Sequence, residues 1–101
     1  MKGDVAGFDW DSANRAKCTK HGVAPEEIEN LFIRRVMILP DEAHSMTECR
    51  LKAIGKTDEG RHIFLVFTIR EKQGKRYIRP ISGRYMHQKE IEHYEKENPE
   101  L

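Results

Sequence analysis

The chain has 101 residues, enough for one small domain around a single core and too few for two. Its composition, 38% hydrophobic and 35% charged, suits a protein in water, and no apolar run approaches the roughly 20 residues that span a bilayer. Met1-Lys2-Gly3-Asp4-Val5 lacks the apolar region of a secretion signal, so the expected location is the cytoplasm.

The net charge of +1 hides an asymmetry. Between Arg61 and Lys89 stand eight basic residues and one acid, Glu71, a local charge of +7 that leaves −6 elsewhere. Such a split fits a polyanion-binding face beside acidic, solvated helices. A merely solubilising surface is the plainer reading.

In chain order, Gly7-Phe8-Asp9-Trp10 alternates and predicts a short first strand. Asp11 is an N-cap for a helix over 12–20, with Lys17 and Lys20 in its last turns and Gly22 at its C′ position. Pro25 opens a second helix, with Glu26 and Glu27 in its first turn. Ile28, Leu31 and Phe32 form the buried stripe of that helix. Val36-Met37-Ile38-Leu39 predicts a strand, and Arg50 to Gly55 a half-buried one with Arg50 and Lys52 opposite Leu51 and Ala53. Ile63 to Ile69 is the most apolar segment and predicts a strand buried on both faces. The turn Glu71-Lys72-Gln73-Gly74-Lys75 returns the chain as an antiparallel neighbour, Tyr77 to Met86. There Pro80 lacks an N–H and requires a sheet edge or a bulge, while Arg79 and Arg84 have opposite parity. A last helix follows, with His87 as an imperfect cap and Glu90 three residues on. The expected order is β-α-α-β-β-β-β-α, an α+β domain on an antiparallel sheet of four to five strands.

Three groups of residues carry candidate chemistry. His44, Glu48 and Arg50 bring an imidazole, a carboxylate and a guanidinium together within seven residues, and a surface Glu–Arg pair is the structural alternative. RNA phosphodiester cleavage needs a deprotonated 2′-hydroxyl, a protonated leaving oxygen and a stabilised phosphorane, which such groups supply. Arg70, Arg79 and Arg84, interleaved with Tyr77 and Tyr85, suit phosphate binding and base stacking, or else carboxylate pairing. Lys20-His21-Gly22 ends the first helix, where a histidine is usually a dipole-stabilised structural residue. Cys18, His21, His44 and Cys49 lack the spacing of common zinc sites, and a disulfide between the cysteines does not suit a cytoplasmic chain. No nucleotide-binding glycine loop is present, and no cofactor or metal is expected.

These pieces combine in one ordered pattern: Phe8-Asp9-Trp10-Asp11, Lys20-His21-Gly22-Val23, His44-Ser45-x-x-Glu48-x-Arg50, Val66-Phe67-Thr68-x-Arg70, and Ile78-Arg79-x-Ile81-Ser82-Gly83-Arg84. With Gly55, Glu90 and Tyr94 this resembles the BrnT family of bacterial toxins over about residues 8–95. Gly83 departs from the pattern's usual alanine, and His87 from a capping serine or threonine. The resemblance implies a RelE-like fold and a metal-independent endoribonuclease that inhibits translation and growth. It also implies a BrnA-type antitoxin in a 2:2 complex, with promoter DNA bound through the antitoxin.

Carried over by position, Glu48, Arg50, Arg70, Arg79 and His44 become the expected catalytic residues. Arg84 and Ser82, carried over in the same way, are expected to bind RNA, and Tyr85, Arg76 and Lys52 join them on their own chemistry. Phe8, Trp10 and Gly22 are expected to be structural. The competing readings are a non-catalytic basic binding module and a decayed toxin that only binds its antitoxin.

Overall fold

The computed structural model describes residues 5–34, 36–41 and 49–97. His44, Ser45 and Glu48 therefore lie outside the described residues. The element order is the expected one: β1 (Gly7–Phe8), α1 (Ser12–Thr19), α2 (Pro25–Leu31), β2 (Val36–Pro40), β3 (Leu51–Lys56), β4 (His62–Lys72), β5 (Lys75–Tyr85) and α3 (Gln88–Glu97). No helix among the described residues is long and apolar enough to cross a membrane.

The five strands form one sheet in the order β1-β5-β4-β3-β2. From β2 to β5 every pairing is antiparallel, but β1 runs parallel to β5, so the sheet is mixed rather than antiparallel throughout. Two residues cannot reveal their direction by alternation. The parallel alignment is fixed instead by the bonds flanking β1, Ala6 N–H to Arg76 O (2.7 Å) and Asp9 N–H to Ile78 O (2.8 Å).

The β4–β5 hairpin turns on Gln73 and Gly74, both at positive φ (52° and 77°). That is the conformation a two-residue hairpin loop needs to match strand twist, and it lets both strands run longer than their apolar segments suggest. Further along, the ladder slips one residue: Phe67 pairs with Pro80 while Val66 pairs with Ser82. Ile81 is the extra residue of a β-bulge, the accommodation Pro80 called for. The bulge also corrects the parity expected along β5. Arg79 pairs with Thr68 and Arg84 with Phe64, which share a face of β4, so the two arginines project to the same side of the sheet.

One face of β4 carries Ile63, Leu65 and Phe67, each fully buried against Val23, Ile28 and Leu31 from the α1–α2 layer and the cysteine Cys18. Phe67 meets Phe32 edge-on at 5.2 Å, and Phe32 meets Phe8 at 5.7 Å. The other face of β4 is not the second buried side that its apolar run predicts. Phe64 and Val66 there are only half-buried, because α3 covers just one end of that face.

Helix α1 is held to β5 by polar bonds. Asp11 and Asn14 cap its N-terminus reciprocally, and the buried Asn14 amide donates to Asp9 O (2.9 Å) and Pro80 O (2.8 Å). Trp10 Nε1 donates to Glu29 (2.8 Å), tying the start of α1 to α2. At its other end α1 lies directly on Gly83, where a Cβ would sit 3.4 Å from Leu65, 3.5 Å from Ile28 and 3.8 Å from the Cys18 carbonyl. These are ordinary contacts, so the position has room for glycine or alanine. Burial pushes the Cys18 thiol up to about 11.

Helix α3 caps its first turn through Glu90, which accepts the His87 N–H at 2.8 Å. Beneath it His62 is buried, edge-on to the Tyr94 ring, with Nε2 3.6 Å from Glu95. Burial, and then the neighbouring Lys56, hold the His62 pKa below its ordinary value against the opposing pull of Glu95. The unfolded chain therefore takes up this proton more readily, and the stability from neutral His62 is lost as pH falls through about 6.5 toward the lower folded value. The thermal midpoint should accordingly be lower at pH 5.5 than at pH 7.5, and the difference should shrink in His62→Phe. Equal pH sensitivity in both proteins would assign the effect elsewhere.

Candidate nucleic-acid interface

Where β5 continues past the end of β1, its edge is open toward α1, and a basic groove runs there. Its larger part is a hollow of about 370 Å³ lined by Lys17, Lys20, His21, Arg50, Ser82 and Arg84, floored by Phe64, Ile81 and Gly83. A smaller hollow of about 170 Å³ adjoins it and shares Lys17, Arg50 and Ile81, adding Arg70 and Arg79. Among the described residues, six cations line the two parts and no carboxylate does. A groove so lined concentrates anions, and alternating guanidinium, ammonium and hydroxyl donors match a phosphodiester backbone.

Each cation is aimed by the fold. Lys17 and Lys20 come from the last turn of α1 and its C-cap. Arg50 precedes β3, its carbonyl accepting the Asp41 N–H at 2.9 Å, while Thr68 fixes the next carbonyl back, donating to Cys49 O at 2.6 Å. Arg70, Arg79 and Arg84 share a face through the β4–β5 register and its bulge.

Two of the arginines have structural duties as well. Arg79 donates to Asp11 Oδ2 at 2.7 Å and to Asp9 Oδ2 at 3.4 Å. Asp9 also accepts from Lys72 Nζ at 2.9 Å. The Lys72 hydrogen bond is the main cause holding the Asp9 carboxyl below its usual range, and the Asn14 backbone bond does the same for Asp11, with Arg79 adding to both. Arg84 grips Glu90 with two bonds of 2.8 Å and lies over the Phe64 ring. Arg84, helped by the His87 N–H, holds Glu90 down to about 2, so this pair stays ionised at neutral pH.

Of the residues expected from sequence, Arg50, Arg70, Arg79, Ser82 and Arg84 are brought together, with Lys52 on the same sheet face opposite Val66. Tyr85 and Arg76 are not. Tyr85 pairs with Ile63 on the core side, donates its hydroxyl to Glu27 (2.7 Å) and carries the Arg61 guanidinium over its ring. Arg76 pairs with Glu71 near the hairpin tip, on the face opposite Arg79. The groove instead recruits Lys17, Lys20 and His21 from α1, which the strand-centred site omitted. The Lys20-His21-Gly22 turn was visible in the sequence, but only the packing of α1 on Gly83 shows that it meets Ser82 and Arg84.

No curated protein sequence matches the chain. A family model described as the ribonuclease toxin BrnT of type II toxin–antitoxin systems matches residues 10–90, a span that holds α1, the whole β2–β5 sheet and every residue of the basic groove. The chain therefore belongs to the BrnT family, the ribonuclease toxins of type II toxin–antitoxin systems.

Proposed function

We propose that this ribonuclease toxin cuts RNA within the groove between α1 and the β5 edge, using side chains alone and no metal ion. The observation that supports this is the gathering of six cations, and no carboxylate, among the described residues of the wall. As the 2′-oxygen attacks phosphorus, charge builds on the non-bridging oxygens, and fixed guanidinium groups meet it at no cost in reorganisation. Arg50 and Arg70 take that role, Lys17 and Lys20 hold flanking phosphates, and Ser82 donates a further hydrogen bond. Arg79 and Arg84, each already held by carboxylates, set the two ends of the groove and its positive potential. Lys52 extends the RNA path along the sheet.

The cellular consequence is inhibited translation and growth. A type II system supplies a protein antitoxin. We assign it the BrnA type, a 2:2 complex and contact with promoter DNA through the antitoxin.

The test is direct. Purified protein should cut an RNA oligonucleotide and leave the same sequence in DNA intact, since DNA lacks the 2′-hydroxyl nucleophile, and cutting should persist in excess EDTA. Cleavage of both strands, or its loss in EDTA with recovery on adding Mg²⁺, would refute the mechanism.

A further inference from the structure

We propose that His21 is the base that takes the 2′-hydroxyl proton during RNA cleavage, an assignment that rests on the ribonuclease reading above. Four observations carry it. His21 lines the larger hollow with Arg50, Ser82 and Arg84. Its ring is exposed and makes no hydrogen bond, ion pair or ring contact among the described residues. The end of α1 does not need it either: Gly22, at φ +91°, donates its N–H to Thr19 O at 2.9 Å and closes the helix. Finally, α1 is seated beside the groove by the Asn14 bond to Pro80 O at one end and by Cys18 against Gly83 at the other. His21 is thus held at a fixed place next to Ser82 and Arg84 yet spent on nothing structural.

The chemistry of the lining leaves no other choice among the described residues. Lysine and arginine are already protonated near neutrality and a serine hydroxyl is a poor base, whereas imidazole both accepts and releases protons there. The remaining described histidines lie elsewhere, His62 under α3 and His87 and His93 at the start and on the outside of that helix. The charged groups facing His21 are Lys17 and Lys20 from its own helix end, Arg84 from β5 and Arg50 from the approach to β3.

In the step itself, the 2′-oxygen bonds to phosphorus as its proton passes to an imidazole nitrogen. The bond from phosphorus to the 5′-oxygen breaks, and that oxygen keeps the electron pair and takes a proton from water. The products are a 2′,3′-cyclic phosphate and a 5′-hydroxyl, and His21 then returns its proton to solvent.

The experiment compares full-length wild type with His21→Gln on two RNA oligonucleotides, one ordinary and one with sulfur in place of the 5′-bridging oxygen. The thiolate leaves without a proton, so only loss of the base slows both substrates. His21→Gln should lower kcat by about 10²–10³-fold on both, in line with general acid–base contributions. Its thermal midpoint should be unchanged, and its Kd for the 2′-deoxy oligonucleotide should stay within about threefold, because no fold contact is lost. Wild-type rates in His21→Gln would overturn the assignment, as would a defect confined to KM. A defect that disappears on the sulfur substrate would make His21 the acid instead. If wild type itself cuts neither substrate, the ribonuclease reading fails, a result distinct from all of these.

Discussion

Arg50→Ala is expected to lower kcat/KM for RNA cleavage by about 10²–10³-fold, the loss typical of removing one preorganised donor from a developing oxyanion. Among the described residues Arg50 is the only arginine that lines both hollows of the groove, so a phosphate anywhere along its middle stretch lies within its field. Its backbone is pinned by the Asp41 N–H bond, and the preceding carbonyl by Thr68, so the guanidinium starts from a fixed point rather than a swinging loop. The loss should fall mainly on kcat, because Lys17, Lys20, Arg70 and Arg84 remain to hold the strand in the ground state. Arg50→Lys should recover only part of it. A lysine restores the charge but not the two-pronged donor that spans two phosphoryl oxygens. Single-turnover rates and the Kd for a 2′-deoxy oligonucleotide separate the terms. An unchanged single-turnover rate with weakened binding would show that Arg50 only anchors RNA.

Much of the fold was legible because its punctuation is chemical. Asp11, Pro25 and Gly22 mark helix ends through needs that only a few residue types meet, and the alternation of β3 and the apolar run of β4 survive in any context. What escaped depends on partners distant in sequence. β1 is too short to show its direction until Arg76 and Ile78 receive its flanking N–H groups. Pro80 announced an irregularity, but whether it was an edge or a bulge, and hence on which side Arg79 and Arg84 fall, depended on the register with β4. The arginines of the groove stand out in sequence because a sheet must place such charges somewhere. Tyr85 stands out equally in sequence, but that its hydroxyl is held by Glu27, 58 residues away, is not visible there. Lys17 and His21 present the opposite case. On an exposed helix end they look like ordinary solvated residues, and only the seat of α1 on β5 turns them toward Ser82.

Arg79→Ala should then fail for a different reason from Arg50→Ala. Arg79 is the bolt between β5 and the segment that leads into α1: its guanidinium, 20% exposed, reaches both Asp9 and Asp11, and Asp11 is the cap of that helix. Removing it leaves Asp9 largely buried with Lys72 as its remaining partner. The loss of stability comes from hydrogen bonds between charged groups, reduced because Asp11 is half exposed and screened by solvent. In a domain of this size the thermal midpoint should drop by roughly 10 °C. Added salt should narrow the gap between the two proteins, since part of what was lost is a screened ion pair. Measured well below that midpoint, the folded fraction of Arg79→Ala should keep its kcat within about tenfold of wild type, because the donors we assign to the scissile phosphate are intact. In a growth assay the variant would still look harmless, through lower abundance rather than lost chemistry. An unchanged midpoint combined with a collapsed single-turnover rate would reverse this assignment and place Arg79 at the reacting phosphate.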